Sequence, residues 1–219
     1  MGWTTPVDSY CERTAPGFWA EPLNAVTNLA FLGVALWLWP RVRGDGASRA
    51  LCVILFVIGL GSGLFHTVAE RWAALADVVP ILAFILVYLW AVNARVIGLG
   101  RRSAVVAALL FLPLAALIAR VLGAIAPEIG SSVGYVPVVL VILAYAAALA
   151  RRAPRFARDL CIGAALLSVS IAARAVDMPL CPRVPEGTHF LWHLINAAML
   201  GWMIASFRRQ MLAALRARG

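Results

Sequence analysis

Apolar residues in this chain gather in long runs, without the strict alternation of a half-buried strand or the narrow stripe of a surface helix. Seven runs stand out, at roughly 23–40, 51–69, 74–95, 103–125, 132–150, 159–176 and 188–207. A helix rises 1.5 Å per residue, so each run is long enough to cross most or all of a hydrocarbon layer about 30 Å thick. The pattern predicts an all-α membrane protein, a seven-transmembrane helix bundle. Pro80, Pro113 and Pro137 fall inside three of the runs. Spanning helices tolerate proline where neighbouring groups satisfy the freed carbonyls.

Polar positions punctuate these runs unevenly. Arg41, Arg43 and Arg49 follow the first, Arg101 and Arg102 the third, and Arg151, Arg152, Arg155 and Arg158 the fifth. Arg208, Arg209, Arg216 and Arg218 follow the seventh, whereas the alternate connections carry Glu70 with Arg71, then Glu128, then Asp177, Arg183 and Glu186. Arginine-rich loops stay cytoplasmic. With an odd number of spans, the N-terminus is expected outside and the C-terminus in the cytoplasm. The expected organisation is an extracytoplasmic cap over 1–22, a seven-helix domain over 23–207 and a basic cytoplasmic tail over 208–219. The first residues lack the basic start and apolar core of a cleavable signal peptide, so the cap is expected to persist.

Composition sharpens this picture. Only 13% of residues are charged and 63% are hydrophobic, with a mean hydropathy of +0.89; ordinary soluble domains carry about 25% charged residues. A net charge of +9 would suggest nucleic acid in a soluble protein. Here the arginines sit between apolar runs without interleaved aromatics, so no nucleic-acid partner is expected. Every basic residue is arginine and alanine is abundant, a bias that points to a GC-rich bacterial genome and hence to a bacterial inner membrane.

The chain has three histidines, His66, His189 and His193. His66 closes the second run; His189 and His193 open the seventh, one helical turn apart on one face. The alternating topology brings both helix ends to the outer, periplasmic boundary. Three imidazoles are a ligand set for zinc that leaves a fourth position open, as in catalytic sites. Asp77 lies just inside the third run, where a carboxylate costs at least about 2.5 kcal/mol unless paired or used. It is a candidate to take a proton from an attacking water, or else to orient a ligand histidine. Ser62 precedes His66 by four and shares its helical face, placing a hydroxyl where it could donate to a developing oxyanion. Arg174 and Asp177, three apart at the outer end of the sixth run, are expected to form an ion pair.

Gly61-Ser62-Gly63-Leu64-Phe65-His66, Asp77-Val78-Val79-Pro80 and His189-Phe190-Leu191-Trp192-His193 together resemble the motifs of the alkaline ceramidases. More widely they resemble the seven-span hydrolase superfamily that includes the adiponectin-receptor-like proteins. Asp8-Ser9-Tyr10-Cys11-Glu12 and Trp19-Ala20-Glu21-Pro22-Leu23-Asn24 resemble the ceramidase branch in particular. The resemblance implies a zinc-dependent hydrolase of linear amides that splits ceramide, or a related N-acyl lipid, into fatty acid and sphingoid base. It assigns zinc to His66, His189 and His193, proton transfer to Asp77 and intermediate stabilisation to Ser62. It also implies an N-terminal calcium site, for which Asp8, Glu12, Glu21 and Asn24 carry the oxygens, although Arg13 and Thr14 depart from the family pattern. Cys11 and Cys181 both fall on the outer side, in segments flanking the site, and a disulfide between them is expected if that side is oxidising; the resemblance supports the tether. Two other classes fit less well. One is a receptor or structural protein in which zinc staples helices; the other is a proton-coupled transporter, whose relay residues would extend across the bilayer.

Overall fold

The computed structural model describes residues 2–217, so Arg218 of the basic cluster lies outside the described residues. Seven helices are long and apolar enough to cross a membrane: α1 (Pro22–Val42), α2 (Gly46–Val68), α3 (Arg71–Ile97), α4 (Arg101–Ile125), α5 (Pro127–Leu149), α6 (Pro154–Ala175) and α7 (His189–Arg216). Among the described residues, extended pairing is confined to one isolated antiparallel bridge between Pro6 and Glu70. The chain is an integral, multi-pass membrane protein.

The boundaries follow from local chemistry. Asp45 caps α2 by accepting from the Ser48 amide at 2.9 Å, and its other oxygen pairs with Arg95 at the far end of α3. Ala69 ends α2 in the left-handed region (φ 49°) and donates its amide back to the Phe65 carbonyl. That turn exposes residues 69–72 to the N-terminal segment. Val7 donates to the Ala69 carbonyl, and Arg71 and Trp72 donate to Thr5 and Trp3. The cap is thereby laid across the α2–α3 connection.

Two elements differ from the hydropathy reading. The seventh helix does not stop near residue 207 but runs to Arg216. Its arginines have partners: Arg209 reaches the Asp159 carboxylate at 2.8 Å, and Arg208 donates to the Arg43 carbonyl at 2.7 Å. The fifth span is regular α-helix only over Val136–Leu149; its first part, Pro127–Tyr135, is a 3-10 segment broken at Gly130 (φ 58°).

Helix α2 lies at the centre, packed against α1, α3 and α7, while α6 joins α7 to α5. Leu38, Leu51, Leu55, Leu160, Ile204 and Phe207 are fully buried between them. Helix α4 is the least buried span and lies at the rim. The backbones of α3 and α5 stand further apart and meet through side chains, with Tyr145 donating to Asn93 at 2.9 Å and Leu89 packing beside Val138 and Val141.

Candidate metal centre and adjoining cleft

The three histidines converge. His66, the last ring of α2, and His189 and His193, on the first turns of α7, are all fully buried. Their ring centroids stand 4.7–5.1 Å apart. One nitrogen from each ring lies within 4.8 Å of the other two.

Hydrogen bonds on the far sides of the rings decide which nitrogens are free. His66 Nδ1 lies 2.5 Å from a Glu21 carboxylate oxygen, to which it donates. His193 Nδ1 lies 2.9 Å from the Thr27 hydroxyl. That hydroxyl sends its own proton to the carbonyls of Leu23 and Asn24, so it accepts from the imidazole. Both rings are therefore fixed with Nε2 as the lone-pair nitrogen. His66 Nε2, His193 Nε2 and His189 Nδ1 are buried without any hydrogen-bond partner. Three orphaned imidazole nitrogens facing a common point are costly unless a cation satisfies them, and outer hydrogen bonds of this kind are how proteins orient metal-binding histidines. The donor set, nitrogen without thiolate, suits zinc.

The N-terminal cap covers the histidines. The Tyr10 ring stacks on His189 with centroids 3.6 Å apart and an interplanar angle of 16°. Burial pushes the Tyr10 hydroxyl above the ordinary phenol range despite Arg174 beside it, so it stays neutral. Burial would also raise Glu21, but the hydrogen bonds from His66 and Arg13 outweigh it and hold the carboxyl below the usual range. Glu21 is thus an anion that polarises the His66 ring.

Cys11 and Cys181 are joined in a disulfide, as expected. It fastens the cap to the turn before α7. Asp177 lies beside it with both oxygens used: one accepts the Cys11 amide at 2.9 Å, the other the amides of Thr188 and His189 at 2.7 and 2.9 Å. Asp177 therefore caps α7 and aims His189. The expected ion pair with Arg174 is not formed. Arg174 turns the other way, donating to Ser131, Ser132 and the Tyr10 hydroxyl at 2.8–3.2 Å. The backbone amides at the α7 start need an anion more than Arg174 does, since it has three neutral acceptors.

Ser62 and Asp77 line a narrow cleft below the histidines. Its walls are otherwise mostly apolar, with Phe31, Ile58, Ile81, Ile85, Leu167 and Leu200 among them; Asn196 adds a deeper polar group held by Ser170 at 2.9 Å. A second apolar cavity continues inward past Ile85, Val138, Met199 and Leu200 to Tyr88 and Met203. Gly61 sets the distance between the two polar residues. A Cβ there would stand 2.0 Å from the Ala76 carbonyl oxygen. Pro80 cannot donate to that carbonyl, so it is the one in this turn without its intrahelical partner. The α2 backbone fills the space and brings Ser62 against Asp77.

The calcium candidates do not assemble into a cage. Asp8 is exposed, and the two oxygens of Glu12 accept the Leu23 and Asn24 amides at 2.6 and 2.8 Å. Glu21 is shared between His66 and Arg13. Only Asn24 Oδ1 is buried without a partner.

Of the residues singled out from the sequence, the structure brings the three histidines together, places Ser62 and Asp77 on one cleft and joins Cys11 to Cys181. Sequence reasoning missed Thr27 as the partner of His193, Tyr10 as the ring over His189 and Glu21 as the partner of His66. A hydroxyl and a carboxylate flanking the start of the first span were the available signals, but nothing local says which nitrogen each meets. Compared with known proteins, the chain matches none of the curated proteins. It does match the family model described as Ceramidase, over residues 4–215. That match covers most of the cap, nearly all of the seven helices and every residue of the histidine centre, and the chain belongs to the ceramidase family of membrane hydrolases.

Proposed function

We propose that this chain is a zinc-dependent intramembrane amidase that splits an N-acyl sphingoid lipid into a free fatty acid and an amine. One observation carries the reading: three buried imidazole nitrogens without partners face one another at the head of a greasy cleft. Zinc bound there would supply a Lewis acid and make water nucleophilic at neutral pH. Asp77 is placed to take the proton released as the new C–O bond forms, and to return it to the nitrogen as the C–N bond breaks. Ser62 donates to the carbonyl oxygen as that oxygen gains charge. The apolar cleft and its inward continuation hold the acyl chain. A related long-chain N-acyl lipid is the alternative substrate within the same chemistry.

We also infer that the histidine end faces the periplasm of a bacterial inner membrane. Two observations support this. The arginine-rich connections lie at the opposite ends of the helices, and the Cys11–Cys181 disulfide needs an oxidising side.

Purified protein should carry zinc and release fatty acid from an N-acyl sphingosine. His193→Ala should lose both metal and activity, whereas Asp77→Asn should keep the metal and lose activity by about 10²–10⁴-fold. Zinc-loaded protein that releases nothing from a broad panel of N-acyl lipids would reduce the metal to a helix staple.

A further inference from the structure

The cap carries a cationic side chain at the place where a calcium ion is expected. Arg13 is nearly buried (7% exposed) and its Nε donates to Glu21 at 2.5 Å. Its two terminal nitrogens lie 3.5 Å from the Gly17 carbonyl in the cap and the His66 carbonyl at the end of α2. A guanidinium thus collects a carboxylate, a loop carbonyl and a helix-end carbonyl, the kinds of oxygen that a hard cation would gather.

We propose that Arg13 is a built-in cation that replaces calcium beside the metal centre and positions His66 through Glu21, so that this chain needs no calcium. The part concerning His66 rests on the zinc reading above.

Charge and ligand count both favour this assignment. Calcium takes six to eight oxygens. Of the candidates, Asp8 is exposed, Glu12 spends both oxygens on the first turn of α1, and Glu21 spends both on Arg13 and His66. Asn24 Oδ1 is buried without a partner, as is Asn28 Oδ1 one turn later, and the Asn24 amide nitrogen already donates to Glu21 at 3.3 Å. Two neutral amide oxygens are no cage for a divalent ion that takes six to eight ligands. Glu21 and Arg13 neutralise each other, so a calcium ion would have to expel the guanidinium before it could meet the charge of Glu21. The consequence is functional. Arginine does not dissociate from its own chain or lose its proton in the physiological range. The carboxylate that fixes the His66 tautomer is therefore held in place whatever the calcium concentration outside.

The test uses the full-length protein in detergent, dialysed free of calcium. Titrating millimolar calcium into the wild type should give no saturable binding heat and no change in melting temperature or zinc content. Arg13→Ala should weaken zinc binding ten- to a hundred-fold, read by competition with a chromophoric chelator. Arg13→Lys, which restores one charge but not the fork, should recover part of the loss and guards against a poorly folded alanine variant. Saturable calcium binding with a rise in melting temperature in the wild type would overturn the proposal, as would wild-type zinc affinity in a folded Arg13→Ala. Should the wild type hold no zinc at all, the amidase reading falls, while the calcium titration still decides whether Arg13 stands in for the ion.

Discussion

At the level of single residues, the chain uses buried acids for orientation. Glu21 sets His66, Asp177 sets the first turn of α7, and Asp45 performs the matching task at the opposite end of the bundle. Asp45 gives a clean pH test because it is far from the metal centre. Burial would raise its pKa, but Ser48 and Arg95 outweigh burial and hold its carboxyl below the ordinary range. A carboxyl that is lower in the folded than in the unfolded chain stabilises fully above its unfolded value of about 3.9. The stabilisation is lost as pH falls through the folded value. Asp45→Asn should therefore melt below the wild type at pH 7, and the two curves should converge in acid once the pH has fallen below the lowered value of the folded carboxyl. A gap independent of pH would mean that shape, not charge, matters at this cap.

Among the elements, the pairing of α2 with α3 is the most exacting, because Gly61 lies against the Ala76 carbonyl. Gly61→Ala forces the helices apart and should cost about 1–3 kcal/mol as overpacking. It should also separate Ser62 from Asp77, so that hydrolysis falls while zinc content stays near the wild-type level. Loss of zinc together with activity would show that the contact supports the whole bundle instead of the cleft. The helices themselves were readable from hydropathy, since lipid allows no other way to bury their backbones. Their ends were less so. A run of apolar residues stops where arginines begin, yet α7 continues because Asp159 and the Arg43 carbonyl receive those arginines, and both partners are remote in sequence. The histidines were legible for the opposite reason: the residue type is rare and the spacing His-x-x-x-His is local. Glu21 and Thr27 were not, because the bonds that define their roles span 45 and 166 residues. Arg174 and Asp177 show the same limit. They are close in sequence, but each answers to a different distant partner.

Across the whole molecule, the cap and the bundle act as one unit. The disulfide joins positions 170 residues apart, and Tyr10 next to it stacks on His189. Reducing the purified protein should lower its melting temperature by several degrees, because the cross-link restrains the unfolded chain. It should also speed the loss of zinc to a chelator, as the ring over His189 is released. Unchanged metal-loss kinetics would show that the cap's other contacts suffice to keep the centre closed. The disulfide and the split between His66 and the two late histidines have a further consequence for biosynthesis. A ribosome must deliver six complete spans before His189 and His193 emerge and before Cys11 can find its mate. On the proposed reading, nascent and prematurely ended chains would be chemically inert, and lipid cleavage would begin only once the last helix had been inserted.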